Sequence, residues 1–429
     1  MHWLTITPAP GPVCGTVRPP GSKSITNRAL ICAALAKGQS TLQGTLDSED
    51  TRVMVAGLQA LGIAIDGDLG QAPLRVTGCQ GRLACRHADV FAANSGTTLR
   101  FLTALVCAGQ GEYRLDGVPR MRQRPVRDLV DALQQLNVEA RCETDGKCPP
   151  VFVRAEGLQG GRVRMRGDIS SQYLSGLLMV APTAAADVEI EIVGPLVSKP
   201  YVEMTIAVMK AFGVEVQRTQ TGRLQIQAPQ VYQACNYQIE PDASAASYFW
   251  AAAAITRGEV TVTGLSNDSL QGDVRFCNCL ADMGCEVDYG SDAITVRGRP
   301  LYGIDVDMNP ISDTVQTLAV VALFANGPTT IRGVAHIRHK ETDRIGDLAR
   351  ELRKLGAEVD EREDGLRIVP QAVRAAQVET YDDHRMAMSL ALAGLKVPGV
   401  AIQNPACTAK TYPNFFGDLR TLVDPPPRA

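Results

Sequence analysis

The chain has 429 residues, 45% of them apolar and 21% charged, with a formal net charge of -3. That length allows two or three domains with sizeable cores. The charge argues against a nucleic-acid or membrane-surface binder, and apolar runs such as Phe249 to Ile255 fall far short of the ~20 residues that cross a bilayer.

The twelve cysteines are scattered, and the closest pair, Cys277 and Cys279, has no histidine nearby. This spacing predicts reduced, mostly buried thiols, no metal site and a cytoplasmic protein. The segment Met1 to Thr5 lacks the charged and apolar regions of a signal peptide. Only nine of the 43 basic residues are lysine, and Lys23, Lys340 and Lys410 fall in short conspicuous clusters.

From the N-terminus, alternating strands over Leu4 to Val17 lead to Pro19-Pro20 and a helix opening at Gly21-Ser22-Lys23-Ser24. Two interleaved repeats then run to the C-terminus. One is a helix, a Leu/Phe/Met-Gly/Asn step and an alternating strand, with the step's second residue at Gly62, Asn137, Gly213, Gly284 and Gly356. The spacings are 75, 76, 71 and 72 residues. Gly or Asn suits the left-handed residue that ends a helix. The other is an apolar helix followed by a strand ending at Gly44, Gly117, Gly194, Gly264, Gly333 or Asn404, spaced 73, 77, 70, 69 and 71. Helices apolar nearly all round, such as Ser247 to Ile255, belong inside a domain.

Six units of about 70 residues thus account for the chain. The sixth lacks its last strands, and Leu4 to Val17 is the candidate replacement. This predicts a contiguous domain over 21–239 and a second domain from 1–20 plus 240–429. A short helix, Asn414 to Val423, and the tail Pro425-Pro426-Pro427 close the chain.

Helix starts offer free N–H groups and attract anions. The first three buried helices open with Gly21-Ser22-Lys23-Ser24, Asn94-Ser95-Gly96-Thr97 and Ser170-Ser171-Gln172. The last three open with Asp242, Asp313 and Asp382-Asp383-His384-Arg385. One half therefore presents hydroxyl and amide donors, the other carboxylates beside bases, as expected for small anionic substrates held between two domains. A nucleotide P-loop is rejected because the upstream glycine before Gly21 is missing.

Arg120-Met121-Arg122-Gln123-Arg124-Pro125 places three arginine forks before a helix over Val126 to Leu136. His336 to Arg344 precedes an amphipathic helix marked by Ile345, Leu348, Leu352 and Leu355, with Glu341 and Arg344 expected to share its first turn.

Together these clusters resemble the 5-enolpyruvylshikimate-3-phosphate (EPSP) synthase family. The matching stretches are Pro20 to Arg28, Asn94 to Arg100, Pro119 to Pro125, Ser170-Ser171-Gln172, Leu196 to Tyr201, Lys340 to Arg344, Asp382 to Ala387 and Thr408-Ala409-Lys410-Thr411, in order over about residues 15–420. The resemblance implies a two-domain inside-out α/β barrel of six βαβαββ-type repeats, three per domain, with buried helix starts facing the interdomain cleft. It implies transfer of the enolpyruvyl group of phosphoenolpyruvate (PEP) to the 5-hydroxyl of shikimate 3-phosphate, with phosphate released and no cofactor or metal needed. A monomer acting on these two small molecules is expected.

Position by position, the resemblance implies a PEP site of Lys23, Gly96, Arg124, Gln172, Arg344, Arg385 and Lys410. For shikimate 3-phosphate it implies Lys23, Ser24, Arg28, Ser170, Ser171, Gln172, Ser198, Asp313, His336 and Lys340, with Tyr201 near the ring. Asp313 resembles the carboxylate that takes the hydroxyl proton. Glu341 resembles the acid that protonates PEP, with Lys23 a competing candidate. His336 stands where an asparagine is usual, and Ser95 and Phe101 where many members have Ala and Pro. Gly96 leaves room for glyphosate, so some sensitivity to that inhibitor is expected.

Two other readings remain open here. The enolpyruvyl transferase acting on UDP-N-acetylglucosamine shares the fold, but its catalytic cysteine lies in the loop that reads Gly117-Val118-Pro119-Arg120-Met121 in this chain. A non-catalytic phosphate-ligand binding paralogue is the other; Asp313, Glu341 and Lys23 argue against it.

Overall fold

All five Leu/Phe/Met-Gly/Asn steps end helices in the same way. Gly62, Asn137, Gly213, Gly284 and Gly356 have φ of 87°, 62°, 80°, 109° and 106°. In each, the next residue's N–H bonds back five residues, as in Ile63 N–H to Leu58 O at 3.0 Å and Ala357 N–H to Leu352 O at 3.1 Å. This is the Schellman ending, which satisfies carbonyls the helix leaves open and turns the chain into the following strand.

The computed structural model describes residues 2–144, 146–220 and 222–424, so Pro425-Pro426-Pro427 lies outside the described residues. The chain packs as two compact units. One is Gly21–Ile239; the other joins the residues up to Pro20 with those from Glu240 onward.

Among the described residues, Gly21–Ile239 carries six α-helices: α1 (Lys23–Leu35), α2 (Glu49–Ala60), α3 (Gly96–Leu105), α4 (Arg127–Gln135), α5 (Ser171–Val180) and α6 (Lys199–Ala211). Helices α1, α3 and α5 are buried almost throughout and carry the core. Three four-stranded sheets surround them, of one design. In the sheet of His87–Phe91, the first strand runs parallel to Gln110–Asp116, which pairs antiparallel with Cys148–Glu156 and then Glu139–Thr144. Side chains alternate along Cys148–Glu156, with Val151, Val153 and Ala155 inside and Arg154 and Glu156 outside.

The other unit repeats the plan with α7 (Ala243–Thr256), α8 (Phe276–Asp282), α9 (Val315–Ala322), α10 (Gly346–Lys354), α11 (His384–Gly394) and α12 (Phe415–Val423). All of α7, α9 and α11 is buried. Their buried hydroxyls touch one another: Ser247 Oγ lies 3.1 Å from Thr317 Oγ1, which lies 3.3 Å from Ser389 Oγ. Satisfying these groups mutually avoids the cost of isolated polar atoms in a core.

The N-terminal segment divides between two sheets instead of completing one repeat. Trp3–Thr5 pairs antiparallel with Ala401–Gln403 and makes the sixth sheet three-stranded. Cys14–Val17 joins the fourth sheet, parallel to Glu259–Thr263. A matching exchange occurs at the other crossing. Cys14–Val17 precedes α1 in sequence but pairs with the strand after α7. Asn236–Gln238 precedes α7 but pairs with Gln39–Gln43, the strand after α1. Each strand is thus followed by a helix of the opposite unit.

In the second repeat series, Gly44, Gly194, Gly264, Gly333 and Asn404 all have positive φ. Gly117 differs: a Cβ there would lie 2.3 Å from Ala93 O, so the close approach of backbone requires the glycine.

Candidate active site

In Gly21–Ile239, serines begin the three buried helices. Ser22 Oγ accepts from Ile25 N–H at 3.4 Å, Ser95 Oγ from Thr98 N–H at 3.3 Å and Ser170 Oγ from Gln172 N–H at 3.3 Å. These caps leave the residues beside them at the electropositive helix starts. Lys23, at the start of α1, lies 3.5 Å from Asp50 Oδ2 on α2.

Of the three loop arginines only Arg124 is buried. Its Nη1 donates to Asn94 O at 2.9 Å, which aims it at the start of α3. Arg122 is exposed and turned to Asp116, 2.6 Å away, while Arg120 bonds Gln123 Oε1 at 3.1 Å. Gln172 accepts from Arg100 Nη1 and donates to Thr97 Oγ1 at 3.2 Å. Arg100 also reaches Pro125 O at 3.1 Å, and its guanidinium lies over the Tyr173 ring at 5.2 Å. Gly96, Arg100, Arg124 and Gln172 therefore form one connected group. Ser171, at the start of α5, is 7% exposed.

Arg28 sits deeper than its neighbours, 2% exposed beneath Ser24. Its Nε donates to Thr205 Oγ1 at 2.7 Å and Nη1 to Ser24 O at 2.9 Å. Its Nη2 serves Ser175 Oγ at 3.4 Å and Tyr201 O at 3.2 Å. A guanidinium has five N–H groups, so a single Nη1–H is left for anything else. Burial lowers its pKa to about 10, with Tyr201 and Cys32 opposing. Arg28 thus ties the Ser24 backbone to the Ser198–Tyr201 segment. Ser198 there is left-handed (φ 51°), and its carbonyl accepts from Tyr201 N–H at 3.0 Å.

The other unit concentrates charge. Asp313 lies 2.8 Å from Arg385 Nη2, 3.3 Å from Arg344 Nη1 and 3.8 Å from Lys340 Nζ. Arg344, 1% exposed, also meets Glu341 Oε2 at 2.8 Å and Asp383 Oδ2 at 2.7 Å. Lys410 Nζ lies 3.9 Å from Glu341 Oε1. Among the described residues these ion pairs bring Lys340, Arg344, Arg385 and Lys410 against Asp313, Glu341 and Asp383. Burial alone lowers the pKa of Arg344, but Asp383, Glu341 and Asp313 together raise it, so the guanidinium stays charged.

Two local expectations are revised. Asp313 does not cap its helix; it lies in the 3₁₀ stretch Asn309–Thr314, and α9 begins at Val315. Its oxygens go to the arginines instead. Glu341 and Arg344 do meet, but in a bend before the helix. Asp343 Oδ1 takes the Ile345 and Gly346 N–H groups at 3.1 Å each and starts α10 there. Ile345, Leu348, Leu352 and Leu355 are fully buried along it.

Asp50 as the partner of Lys23 had no local signal; Asn94 and Arg100 lay in a recognised cluster, but their roles on Arg124 and Gln172, far along the chain, were not legible. Asp383 lay in a recognised cluster, but its two roles were not legible. It caps α11 by accepting from Arg385 N–H at 2.8 Å and simultaneously grips Arg344.

His336 is 7% exposed, with Nε2 3.1 Å from Ser312 Oγ. Burial lowers its pKa to about 3, Lys340 and Arg344 adding to the effect and Asp313 opposing it. The imidazole is therefore neutral at physiological pH and offers a hydrogen bond without a charge. In the unfolded chain the same group takes a proton near pH 6.5, so acidification favours unfolding; the cost is absent above that pH, reaches about 1 kcal/mol near pH 5.5 and grows as pH falls towards 3. His336→Asn is expected to remove that cost and so lessen the drop in Tm between about pH 7.5 and about pH 5.5 by about 2–4 °C. An unchanged drop, read by thermal denaturation at both pH values, contradicts a buried neutral histidine.

Fold and charge arrangement define a six-repeat α/β anion-binding protein with acid–base groups set among its cations. The EPSP synthase (3-phosphoshikimate 1-carboxyvinyltransferase) family model matches residues 8–419. A 3-phosphoshikimate 1-carboxyvinyltransferase of Trichormus variabilis is 49% identical over 417 residues, 97% of this chain and 98% of the relative. One from a Shewanella species is 46% identical over 413 residues, 96% and 97% of the two chains. Among solved structures, an EPSP synthase of Acinetobacter baumannii matches with TM-score 0.82 at 24% identity, covering 99% of this chain and 98% of that one. The enolpyruvyl transferase NikO of Streptomyces tendae matches at TM-score 0.77 and 22% identity, covering 98% and 97%. The chain belongs to the EPSP synthase family, with that family's two-domain inside-out α/β fold.

Proposed function

We propose that the protein transfers the enolpyruvyl group of PEP to the 5-hydroxyl of shikimate 3-phosphate and releases phosphate. Family membership supports the reaction. The single observation that carries the mechanism is the cluster of Asp313, Glu341 and Asp383 among Lys340, Arg344, Arg385 and Lys410. In this reading 21–239 and 1–20 plus 240–429 act as the two domains.

Lys23, Gly96, Arg124, Gln172, Arg344, Arg385 and Lys410 hold the PEP oxygens. Ser24, Arg28, Ser170, Ser171, Ser198, Tyr201, Asp313, His336 and Lys340 hold shikimate 3-phosphate, with Lys23 and Gln172 shared. Arg28 acts mainly by fixing Ser24 and the segment carrying Ser198 and Tyr201. Glu341 protonates the PEP methylene, generating positive charge at the neighbouring carbon. The 5-hydroxyl adds there while Asp313 takes its proton. The tetrahedral intermediate then loses phosphate while its methyl group returns a proton to the Glu341 carboxylate, which restores the C=C bond; the fixed arginines and lysines balance the charge of the departing phosphate. Arg344 and Arg385 hold both Asp313 and PEP, so PEP binding draws them towards the substrate and frees an Asp313 oxygen for the hydroxyl.

The chemistry needs no cofactor or metal. A monomeric, cytoplasmic enzyme goes with this reading, the location being the one that scattered cysteines favour.

The direct test follows phosphate release by purified protein with PEP and either shikimate 3-phosphate or UDP-N-acetylglucosamine. Release is expected only with shikimate 3-phosphate; its absence there overturns the proposal. Release that survives Asp313→Ala combined with Glu341→Ala keeps the transferase but overturns the proton-transfer roles.

Gly96 provides a sharper probe. A Cβ there would lie 2.5 Å from Arg124 Nη2 and 3.0 Å from Arg100 Nη1. Both are ends of flexible side chains, so the protein folds but the guanidinium shifts. Loss of one charged hydrogen bond is worth about 1.5–3 kcal/mol, so Gly96→Ala should raise the KM for PEP on the order of tenfold to a hundredfold. The KM for shikimate 3-phosphate should move far less. Glyphosate is expected to compete with PEP at the same place, and inhibition indifferent to PEP concentration contradicts that.

A further inference from the structure

Glu351 lies in α10 and is fully buried, yet no substrate role accounts for it. Among the described residues its carboxylate has three partners. Oε2 accepts from Glu379 N–H at 3.0 Å and lies 2.9 Å from Lys354 Nζ; Oε1 accepts from Tyr381 OH at 2.6 Å. None of these belongs to the Asp313–Arg344–Arg385 cluster. All belong to α10 itself or to the segment just before α11.

That segment is unusual. Tyr381 and Asp382 are consecutive non-glycine residues in the left-handed region, with φ of 54° and 55°. L-residues disfavour that region, so surrounding contacts must enforce it. Two sides supply them. Asn404 Nδ2 donates to Asp382 Oδ1 at 2.5 Å. On the other side, Glu351 holds the Glu379 N–H and the Tyr381 hydroxyl, and Arg350 Nη1 meets the same hydroxyl at 3.0 Å. The next residue is Asp383, whose carboxylate both caps α11 at the Arg385 N–H and grips Arg344.

We infer that Glu351 is a positioning residue for PEP recognition: through Tyr381 it holds the left-handed turn that sets Asp383, and Asp383 in turn sets Arg344 and Arg385. This rests on the PEP roles proposed above for those two arginines. The buried carboxylate is suited to this because it accepts from both the backbone and the side chain of one strained segment. Carboxylate oxygens accept only, whereas glutamine presents an amide nitrogen to one of those donors.

Glu351→Gln and Tyr381→Phe test it. Tyr381→Phe removes the hydroxyl that bonds Glu351 and Arg350, and Glu351→Gln removes the charge beside Lys354 and turns an amide nitrogen towards one donor; both keep the side chain's shape. Sub-ångström misplacement of ligands carries large kinetic costs, so Glu351→Gln should raise the KM for PEP by about tenfold. The KM for shikimate 3-phosphate should stay within about twofold in the same assay. Tyr381→Phe should move the same constant in the same direction, and the double variant should show less than the product of the two effects. A residue that merely supports the fold would lower the active fraction, reducing kcat with both KM values unchanged. That outcome overturns the inference, as does an equal rise in both KM values. Inactivity of the unaltered protein instead overturns the proposed function, so the two failures are told apart.

Discussion

Replacing Arg344 with alanine is expected to destabilise the protein more than any other single change at the site. Arg344 is 1% exposed and pairs with Asp313, Glu341 and Asp383. Its removal strands carboxylates in a poorly solvated place. Asp383 suffers most: it is fully buried, and the Arg385 N–H at 2.8 Å does not replace a guanidinium charge. Breaking a buried ion pair from one side costs about 3–5 kcal/mol, which for a domain of this size lowers Tm on the order of 10 °C. Arg344→Lys keeps the charge but not the fork that reaches several acceptors, so an intermediate loss is expected. Thermal denaturation of the three proteins decides the matter. A Tm for Arg344→Ala within about 2 °C of the parent would show that the cluster does not hold this unit together.

The second large effect is catalytic. Asp313→Asn keeps the shape of the side chain and removes its ability to take a proton. With a general base worth about 10²–10⁴ in rate, kcat should fall by that factor. Binding should behave differently. Asp313 is the carboxylate nearest Arg385 and Lys340. Neutralising it increases the local positive charge, so PEP and shikimate 3-phosphate should bind no more weakly than before. Steady-state kinetics with both substrates varied separates the two terms. A kcat within about tenfold of the parent removes Asp313 from proton transfer. A falling kcat with sharply weakened binding of both substrates makes it a structural partner of the arginines instead.

Much of this site was legible because it is built from helix ends. A serine or aspartate before an apolar helix has a short-range task, capping, and Ser22, Ser95, Ser170, Asp242 and Asp383 all perform it. The five Gly or Asn steps were legible for the same reason, since a left-handed residue is demanded locally. Asp313 was harder. It was expected at a helix start and stands near one, but its oxygens are taken by Arg344 and Arg385, 31 and 72 residues away. A carboxylate next to two guanidinium groups gains more from them than from capping, and that competition involves residues no local window contains.

The family motifs pointed to the right clusters without ordering their members. Three arginines at 120, 122 and 124 look equivalent in sequence. Burial separates them: Arg124 is 2% exposed, while Arg122 lies on the surface against Asp116. Arg28, grouped with substrate ligands by resemblance, spends nearly all its donors on the protein. Glu351 had no motif at all. It reads as one more polar residue in the exposed pattern of an amphipathic helix, and only its contacts with Glu379 and Tyr381 set it apart.

By itself the amino-acid sequence determined the period of the fold, the apolar faces its helices bury and most helix ends, though not the starts of α9 and α10. Those properties depend on the spacing of apolar side chains and on backbone conformations that a few neighbouring residues dictate. Tertiary structure alone decided which strand completes which sheet. Cys14–Val17 and Asn236–Gln238 each pair beyond the helix that follows them, and their short alternating sequences suit either partner. It also decided which cation faces which carboxylate. Ion pairing follows distance in space, and those distances are set by the packing of helices whose contacts span dozens of residues.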